Sequence, residues 1–398
     1  MVRPDTDRPS LLLVSTVSVT IRHFLRPYAD HFRSLGWRVD AAANGIAADP
    51  TAGAAFDAVH ELALSRSLRD IGGLIRGWRG VARALDRARP DIVHVHTPIA
   101  SFLVRLVARW MPAGHRPAVV YTAHGFHFHQ AGGRLPNAIF LAAERLAGRW
   151  TDRLIVINDE DEQAARRHRI VPAPRLVRMP GIGLDTAAFS PASIDPDEAA
   201  RSQRRLGLPD DAAYFAVIGE LNWNKRQADA IDALATMRNR QAHLLVIGSG
   251  PMRPGLEVLA TERKVSDRVH FSGFIEDVPT VLSGALALVA TSAREGLSRS
   301  VMEALSLEVP VIASTARGNR ELVGDSGRIF PTGDVPALAG WMDWFVDHPR
   351  DGRAMGRTGR RRMVEEYDLQ ELIRRHERLY LGLLAERGRL ISGRGAGG

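Results

Sequence analysis

A chain of 398 residues, with 45% hydrophobic and 25% charged residues, is too long for one compact core and is typical of a two-domain globular protein. This composition excludes collagen-like, coiled-coil and wholly disordered proteins. A formal net charge of +8 favours anionic partners such as phosphorylated ligands, lipid headgroups or nucleic acid, without choosing among them. The absence of cysteine excludes disulfides, thiolate metal sites and thiol nucleophiles, and it favours the cytoplasm.

The first apolar run, Leu11–Ile21, follows two arginines and has the outline of a signal peptide. It ends at Arg22 and His23 without a small-residue cleavage site, so it predicts a buried first strand. No stretch reaches the roughly 18 apolar residues of a membrane-spanning helix. Contact with a membrane surface stays open, because the basic charge and the amphipathic run Ser101–Met111 favour it, although the same run is typical of an ordinary packed helix.

Short runs rich in valine and isoleucine alternate with longer segments of helical period along the first half of the chain. Each short run ends at a polar or turn-forming residue, which is typical of a buried parallel strand. The predicted strands are Leu11–Val17, Arg38–Ala43, Asp91–Thr97, Ala118–His124 and Arg153–Asn158. The predicted helices are Phe24–Leu35, Ser67–Ala88, Ser101–Trp110 and Leu135–Trp150. This alternation predicts an α/β fold.

A stretch rich in proline and aspartate, Pro172–Asp211, interrupts the alternation and predicts the boundary between two domains. The alternation then resumes with the predicted strands Tyr214–Glu220, Ala242–Gly248, Val269–Phe274, Leu286–Ser292, Val309–Ser314 and Gly327–Pro331. We therefore expect two doubly wound domains, residues 1–190 and 191–365, that face each other across a substrate-binding cleft. A last helix, about Val364 to Glu386 and within residues 366–390, is expected to pack back on the first domain, and residues 391–398 are expected to form a flexible tail.

The segment Ala290–Ser314 carries the most informative pattern of the chain. A loop with Glu295 and Gly296 joins a predicted strand to a predicted helix that contains Glu303. Glycine permits close backbone approach, and the free N–H groups at a helix start bind anions, so a diphosphate would fit here. The two carboxylates would then accept hydrogen bonds from ligand hydroxyls on either side. In the alternative interpretation, Ser300 and Glu303 form an S-x-x-E capping box and Glu295 is a solvated loop acid.

A second polar loop, after the predicted strand Tyr214–Glu220, places Lys225 and Arg226 at a helix start. A cation in this position opposes the helix dipole, and an anionic ligand would account for it. Lys225 is therefore predicted to bind a phosphate group, with Glu220 orienting the lysine or a ligand hydroxyl. A lysine that merely lies on the surface is the alternative.

Several common ligand-binding and catalytic motifs are broken or absent. Gly248 and Gly250 follow a predicted strand, but Arg253 stands where the third glycine of a dinucleotide-binding fingerprint would lie. The P-loop pattern and the G-x-S-x-G nucleophile elbow are absent, and no base-reading motif accompanies the basic charge. We therefore expect no bound cofactor and no nucleic-acid partner.

Histidines cluster after two predicted strands of the first half. They are His94, His96, His124, His127 and His129. Their spacing is compatible with a metal ion, but without cysteine the site would need carboxylates to complete it, so no metal site is predicted. His124 directly follows a predicted strand and precedes glycine, which places it at the carboxyl edge of the sheet, where it is predicted to contact substrate. A loop histidine whose bonds are satisfied by its neighbours is the alternative.

The segment Glu295-GLSRSVM-Glu303, followed by A-L-S and the strand V-P-V-I-A-S, is similar to the E-x₇-E motif of the GT-B glycosyltransferases of family 4, a retaining group that uses nucleotide-sugar donors. The segments GELNWNKRQ, VIGSGPMRPGLE, HFSGFIEDVPTVLSGA and ARGNRELVGDSGRIFP match the donor domain of that family in order and spacing. The first half resembles a subgroup found in exopolysaccharide and capsule clusters, through HVHTPIASFLVRLVAR, VVYTAHGFHFHQ and ERLAGRWTDRLIVINDEDEQAA. The resemblance covers nearly the whole chain.

The resemblance implies roles for individual side chains. Glu295 would contact the donor sugar, and Glu303 would contact the ribose. Lys225 would bind the diphosphate, and His124 would contact the donor sugar near the reacting carbon. His124, Lys225 and Glu295 are thus the expected catalytic residues.

The resemblance also implies backbone contacts with the donor. Diphosphate contacts from N–H groups are expected at Gly296, Leu297 and Ser298, and contacts with the base are expected around Gly273, Phe274 and Ile275.

The sequence departs from the family pattern at two places. Many members carry an arginine where Glu220 stands, so that here either Arg226 substitutes for it or one cation is enough. The common N-terminal Gly-Gly loop is also missing, and Ser15–Phe24 occupies its place. Arg22 and His23 are then the candidates for acceptor contacts.

The resemblance implies a metal-independent transferase that moves a hexose or N-acetylhexosamine, with retention, from a nucleotide-diphosphate sugar to an acceptor hydroxyl. We expect a UDP-linked donor and an acceptor on a polysaccharide or lipid-linked glycan precursor. An acceptor that is a soluble secondary metabolite and a non-catalytic nucleotide-sugar-binding protein are the two alternatives. The expected location is the cytoplasm, with peripheral contact at the inner face of the cell membrane left open.

Overall fold

The computed structural model describes residues 8–64, 70–128, 133–210 and 212–388. The chain divides into two units: unit 1 is Met1–Ile182 with Glu371–Gly398, and unit 2 is Gly183–Gln370. His129, the start of the predicted helix Ser67–Ala88 and the predicted tail of residues 391–398 lie outside the described residues.

Unit 1 contains a parallel sheet of seven strands in the order β3-β2-β1-β4-β5-β6-β7. The strands are β1 (Ser10–Val17), β2 (Arg38–Asn44), β3 (Ala58–Glu61), β4 (Ile92–Val95), β5 (Ala118–Ala123), β6 (Arg153–Val156) and β7 (Leu176–Arg178). The helices are α1 (Ser18–Thr20), α2 (Arg26–Ser34), α3 (Pro50–Gly53), α4 (Ile71–Ala88), α5 (Pro98–Trp110), α6 (Arg134–Gly148) and α7 (Asp159–Arg167). A π-helical turn, Ile21–Leu25, joins α1 to α2.

Unit 2 repeats this plan with a parallel sheet of six strands in the order β10-β9-β8-β11-β12-β13. The strands are β8 (Tyr214–Ile218), β9 (His243–Ile247), β10 (Val269–Gly273), β11 (Ala287–Ala290), β12 (Val311–Ser314) and β13 (Gly327–Phe330). The helices are α8 (Pro196–Arg205), α9 (Gln227–Thr236), α10 (Arg253–Glu262), α11 (Val278–Leu282), α12 (Arg299–Ser306), α13 (Asn319–Val323), α14 (Val335–Asp347) and α15 (Pro349–Glu366). The chain returns to unit 1 through α16 (Leu369–Glu386).

The central strands are buried on both faces, as their nearly continuous apolar sequences predict. In β8, Tyr214 and Ala216 pack into one core of unit 2, while Phe215 and Val217 pack into a second core. This alternation is that of a strand whose successive side chains point to opposite faces of the sheet. Strands of unit 1 likewise supply a core with helices α4 and α5. The predicted pair of doubly wound α/β domains is confirmed.

The predicted linker Pro172–Asp211 contains regular structure that its sequence does not predict. Both β7 and α8 lie inside it. Proline is compatible with this helix because Pro196 occupies the first turn, where the missing N–H has no intrahelical acceptor, and Asp195 caps the turn by accepting from Asp197 N at 2.9 Å. The edge strands β7 and β3 were missed because three or four residues are too few to show a period.

The predicted helix Val364–Glu386 is wrong in its continuity, because α15 ends at Glu366 and α16 begins at Leu369. At the break, Leu184 N donates to Tyr367 O and Leu369 N donates to Leu184 O, both at 2.9 Å. The backbone of the break thus bonds to a neighbouring segment of unit 2 instead of continuing the helix.

The strand orders locate the topological switch point of each sheet. In unit 1 it lies between β1 and β4, and in unit 2 between β8 and β11. Doubly wound sheets bind ligands at the carboxyl ends of such strands. Lys225 follows β8 and Glu295 follows β11, so the two strongest candidates of unit 2 flank its switch point. Among the described residues, none of the helices has both the length and the apolar character needed to cross a bilayer.

Candidate active site

Two loops of unit 2, one after β8 and one after β11, are joined by hydrogen bonds. Thr291 Oγ1 donates to Lys225 O at 2.6 Å, and Ala293 N donates to Asn224 O at 2.7 Å. Asn224 Nδ2 in turn donates to Arg294 O at 3.1 Å. These bonds couple the two backbones, so that side chains on one loop have a defined position relative to those on the other.

An ion pair between Lys225 and Glu295 lies across these two loops. Lys225 Nζ is 2.6 Å from Glu295 Oε1, and the two side chains are 24% and 14% exposed. Ser292 Oγ donates to the same carboxylate oxygen at 2.6 Å. The carboxylate of Glu295 therefore orients the ammonium of Lys225, which stays partly accessible to a ligand.

The two other charged residues predicted in the loop after β8 have different partners. Glu220 is exposed and accepts a hydrogen bond from Asn222 Nδ2 at 3.0 Å, whereas Lys225 pairs with Glu295. Of the two roles expected for Glu220, orienting the lysine is therefore wrong, and a contact with a ligand hydroxyl stays a prediction. Arg226 binds both carboxylate oxygens of Asp229, at 2.7 and 2.9 Å. A role for Arg226 at a diphosphate stays a prediction, and it would require exchange of this carboxylate partner.

Glycines allow the loops of unit 2 to pack backbone against backbone. A Cβ atom on Gly318 would lie 1.8 Å from Gly296 O, and one on Gly248 would lie 2.0 Å from Gly219 O. Both Gly318 and Gly248 also have positive φ angles, of +80° and +137°, which other residues rarely adopt. Gly248 thus serves the packing of the loops after β8 and β9, in agreement with the broken dinucleotide motif.

The start of α12 follows directly on Gly296, Leu297 and Ser298. Ser298 is the N-cap residue, and its side chain makes no capping hydrogen bond to the helix. The first N–H groups of a helix have no intrahelical acceptor, and they carry the positive end of the helix dipole. This terminus, beside Glu295 in the same loop, has the chemistry to bind an anion.

Glu303 lies inside α12 and is 8% exposed. Its Oε1 accepts from Arg299 Nε at 2.7 Å. Burial raises the pKa of Glu303, and the neighbouring Arg299 opposes this shift. The alternative capping box is not formed, because the helix begins at Arg299 and Ser300 therefore lies within its first turn.

The segment predicted to hold the base follows β10. Gly273 has a φ of +73°, and its carbonyl oxygen accepts from Gly248 N at 2.8 Å. Phe274 is 75% exposed, whereas Ile275 packs against a core of unit 2. An exposed ring beside a backbone turn offers a stacking surface together with main-chain hydrogen-bonding groups.

In unit 1, His124 follows β5, as predicted, and is exposed. Its Nε2 lies 3.3 Å from Nδ1 of His96. His96 is 3% exposed, and within the described residues its Nε2 has no hydrogen-bond partner. From its spacing in the sequence, His96 is only a metal candidate, but in the structure it is the neighbour that orients His124.

Buried histidines continue behind His124. His94 bonds to Thr122 Oγ1 at 2.7 Å and to the hydroxyl of Tyr380. Desolvation lowers the pKa of His94 and of His96 well below the usual value, and the neighbouring histidines lower it further. Desolvation, followed by the proximity of His376, also lowers the pKa of His124, although the exposure of His124 to water limits this shift.

The predicted acceptor-side residues lie next to each other in the π-helical turn after β1. Arg22 Nη2 is 3.1 Å from His23 Nε2, and Arg22 Nη1 is 3.7 Å from Asp49 Oδ2. Both residues belong to unit 1, as does His124. Across the ranges that the structure describes, there is no group of three or more histidine, aspartate or glutamate side chains placed to hold a metal ion.

Three polar residues of the site were missed from the sequence: Ser292, Asn224 and Arg299. Ser292 closes the predicted strand Leu286–Ser292, which is the position from which polar side chains reach the switch point, so its place was a usable signal. The contact of Asn224 with the neighbouring loop is visible only in three dimensions. Arg299 lies four residues before Glu303 in the same helix, so the i,i+4 spacing of opposite charges was a usable signal.

Comparison with known proteins shows the family of the chain. The family model described as Glycosyltransferase Family 4 matches residues 24–185, and the model described as Glycosyl transferases group 1 matches residues 198–362. The chain is 33% identical over 355 residues to EpsD of Bacillus subtilis, and the aligned region covers 88% of this chain and 91% of that protein. The chain belongs to glycosyltransferase family 4.

More distant relatives extend this result. The glycosyltransferase is 23% identical over 327 residues to the UDP-Gal:alpha-D-GlcNAc-diphosphoundecaprenol alpha-1,3-galactosyltransferase of Escherichia coli, which covers 80% of this chain and 81% of that protein. Its fold matches HepE of Anabaena, solved in complex with UDP and glucose, with a TM-score of 0.78 at 18% identity over 94% of this chain and all of that chain. The expected family and the GT-B fold are confirmed, and the roles of individual residues stay predictions.

Proposed function

We propose that this enzyme transfers a hexose or N-acetylhexosamine, with retention, from a UDP-linked sugar to a hydroxyl of a polysaccharide or lipid-linked glycan precursor. The observation that carries the proposal is the ammonium of Lys225, held 2.6 Å from Glu295 in the loop that leads into α12. A fixed cation and a helix N-terminus on coupled loops suit a diphosphate leaving group.

The reaction requires electrostatic stabilisation of the leaving group. As the bond between the anomeric carbon and the diphosphate oxygen breaks, negative charge grows on the nucleoside diphosphate. Lys225 and the N-terminus of α12 stabilise that charge in the transition state. The acceptor oxygen bonds to the anomeric carbon on the face that the diphosphate leaves, and its proton passes to the departing phosphate oxygen. This route gives retention and requires neither a protein base nor a metal ion.

Two carboxylates are proposed to bind the parts of the donor on either side of the diphosphate. Glu295 accepts a hydrogen bond from the transferred sugar, and Glu303 accepts one from the ribose. For Glu295 this role is compatible with the ion pair, because a diphosphate that draws Lys225 towards itself frees carboxylate lone pairs. Gly296 to Ser298 supply N–H contacts to the phosphates, and Phe274 with its neighbouring backbone binds the base; the exposure of the Phe274 ring supports this role.

The proposed donor and acceptor are supported by relatives. The Escherichia coli relative is named for a UDP-Gal donor and a GlcNAc-diphosphoundecaprenol acceptor, and HepE was solved with UDP and glucose. An acceptor of this kind is anchored in a membrane, which favours an enzyme that works at the inner membrane face. His124, Arg22 and His23 stay the predicted contacts of unit 1.

The test begins with the purified protein and a panel of UDP-, GDP- and dTDP-sugars. A bound donor raises the melting temperature by mass action, so stabilisation by one or more UDP-sugars is expected. The selected donor is then incubated with a GlcNAc-diphosphopolyprenol, and the anomeric configuration of the product is read from its proton coupling. Release of UDP only with acceptor, insensitive to EDTA, supports the proposal. Binding without any transfer, transfer only to a soluble secondary metabolite, or inversion would overturn it.

A further inference from the structure

One face of α6 in unit 1 exposes an apolar stripe. Leu135, Ile139, Ala142 and Leu146 follow one another at intervals of four, three and four residues, which places them on one side of the helix. Leu135 is 72% exposed, Ile139 is 57% exposed and Leu146 is 43% exposed. Single exposed apolar residues are ordinary, but a continuous stripe indicates a surface that is covered by a partner.

A basic hollow adjoins this stripe. It has a volume of about 930 Å³ and lies between the second half of α6 and the segment from α7 to β7. Its charged lining consists of the arginines Arg145, Arg149, Arg166, Arg169 and Arg175. Within the described residues that line it there is no acidic side chain.

Most of these guanidinium groups are available to an external anion. Over the described part of the chain, Arg145, Arg149 and Arg169 form no ion pair or side-chain hydrogen bond. Arg166 pairs with Glu162 at the surface, at 2.6 Å, and Arg175 donates to a backbone carbonyl. A concentration of unpaired positive charge costs free energy by self-repulsion, which an anionic partner would relieve.

We infer that α6 and the basic hollow form a docking surface for an anionic phospholipid bilayer. Lipid phosphates occupy the hollow, and Leu135, Ile139 and Leu146 enter the boundary between headgroups and acyl chains. The apolar stripe suits the acyl chains at that boundary, and the arginines of the basic hollow suit the lipid phosphates beside them. Each basic residue near an anionic surface adds about 1 kcal/mol of binding free energy. This inference rests on the proposed membrane-anchored acceptor and names the surface that brings the enzyme to it.

The structure disfavours two other interpretations. One is that the amphipathic run Ser101–Met111 docks on the membrane, and the other is that the α6 stripe binds a second copy of the chain. The amphipathic run Ser101–Met111 belongs to α5, whose apolar residues Leu103, Val104 and Val107 are buried in the core of unit 1. A symmetric dimer through the α6 stripe would bring the same patch of both copies together. The five arginines of each copy would then repel those of the other.

The test measures binding of the full-length protein to vesicles by flotation, without any sugar donor. We expect binding to vesicles of phosphatidylcholine mixed with phosphatidylglycerol, weakened by salt, and little binding to phosphatidylcholine alone. Reversing three charges, in Arg145→Glu/Arg149→Glu/Arg169→Glu, should lower the partition coefficient by about 100-fold or more. Leu135→Ser/Ile139→Ser should lower it while the charge is kept, and it serves as the second variant if the triple variant does not fold.

The matched control is Arg350→Glu/Arg353→Glu/Arg357→Glu on α15, which changes the net charge equally at exposed positions of unit 2. It should reduce binding by a few-fold at most. Equal losses in both triple variants, or no preference for anionic vesicles, would overturn the inference. So would a dimer in light scattering that Leu135→Ser/Ile139→Ser dissociates. Because neither donor nor acceptor is present, failure here differs from failure of the proposed transfer reaction, which is assayed as release of UDP with the GlcNAc-diphosphopolyprenol acceptor.

Discussion

Lys225 Nζ and Glu295 Oε1 lie 2.6 Å apart, although 70 residues separate them in the chain. They meet because the strands before them, β8 and β11, are neighbours in the sheet of unit 2. Ser292 donates to the same oxygen of Glu295 and thereby fixes the carboxylate. The pair thus holds the ammonium at the switch point of the sheet, where a doubly wound fold binds its ligand.

Replacing Lys225 by methionine should lower kcat by roughly 100-fold or more, because the developing charge on the diphosphate loses its cation. The effect is measured as initial rates of UDP release at saturating acceptor. The matched control is Lys264→Met, which removes the other lysine of the chain from an exposed position and should leave kcat near the wild-type value. Equal kcat in wild type and Lys225→Met, with an unchanged melting temperature, would contradict the assignment.

Replacing Glu303 by glutamine should weaken UDP binding about 10-fold or more, because a hydrogen bond to a charged group is worth about 1.5–3 kcal/mol. The shape of the side chain is kept, so the melting temperature should change little. Isothermal titration with UDP measures the effect, and Arg299→Gln is the control that removes the ion-pair partner but keeps the carboxylate. If both variants lose the same affinity, Glu303 acts only through its ion pair.

The sequence predicted the fold of both units well because buried parallel strands carry a strong local signal. It failed where the structure depends on distant segments. The break between α15 and α16 is imposed by Leu184, which bonds to the backbone of both flanking residues, while helical periodicity continues through the break. The strand β7 was missed because it is only three residues long and lies in a proline-rich stretch whose turn-forming residues predict a loop.

The candidate site was predicted in its members but not in its contacts. Lys225 and Glu295 were each identified from a strand, loop and helix start, and nothing local showed that they pair with each other. Glu220 was predicted to orient either Lys225 or a ligand hydroxyl because it lies near Lys225 in sequence, whereas in the structure Glu295 orients Lys225. His96 was grouped with metal candidates because its spacing from His94 is visible in sequence and its contact with His124 is not.

Acid should destabilise unit 1 through its buried histidines. Burial lowers the pKa of His376 from 6.5 to about 4. Between these values the unfolded chain binds more protons than the folded chain, so the free energy of unfolding falls as the pH drops from 6.5 towards 4. A shift of this size corresponds to roughly 3 kcal/mol.

The variant His376→Phe should flatten this dependence. His376 faces Tyr28, His94 and Tyr380, and the phenyl ring keeps most of these ring contacts while removing the titrating group. Urea denaturation at several pH values between 4 and 6.5, with both proteins, measures the two slopes. An unchanged slope in His376→Phe would show that other groups cause the loss of stability in acid.

Removing one partner of the buried ion pair between Arg105 and Glu144 should lower the free energy of unfolding strongly, because the other partner stays buried as an uncompensated charge. Arg105 is 1% exposed, and both of its terminal nitrogens lie 3.0 Å from Glu144 Oε2. Its guanidinium also lies 4.4 Å from the centre of the Tyr121 ring. Glu144→Ala leaves this charge buried without its counter-ion and should lower the free energy of unfolding by about 3–5 kcal/mol.

The double variant Arg105→Met/Glu144→Leu should recover most of that loss, because apolar side chains of similar volume carry no desolvation cost. The surface control is Glu162→Ala, which breaks an exposed pair with Arg166 and should cost less than about 1 kcal/mol. Urea denaturation of the four proteins measures all three effects. Equal stability of the single and double variants would refute the desolvation argument. Glu144 also joins α6 to α5 through its ion pair with Arg105. Glu144→Ala should therefore weaken vesicle binding, while the double variant retains it.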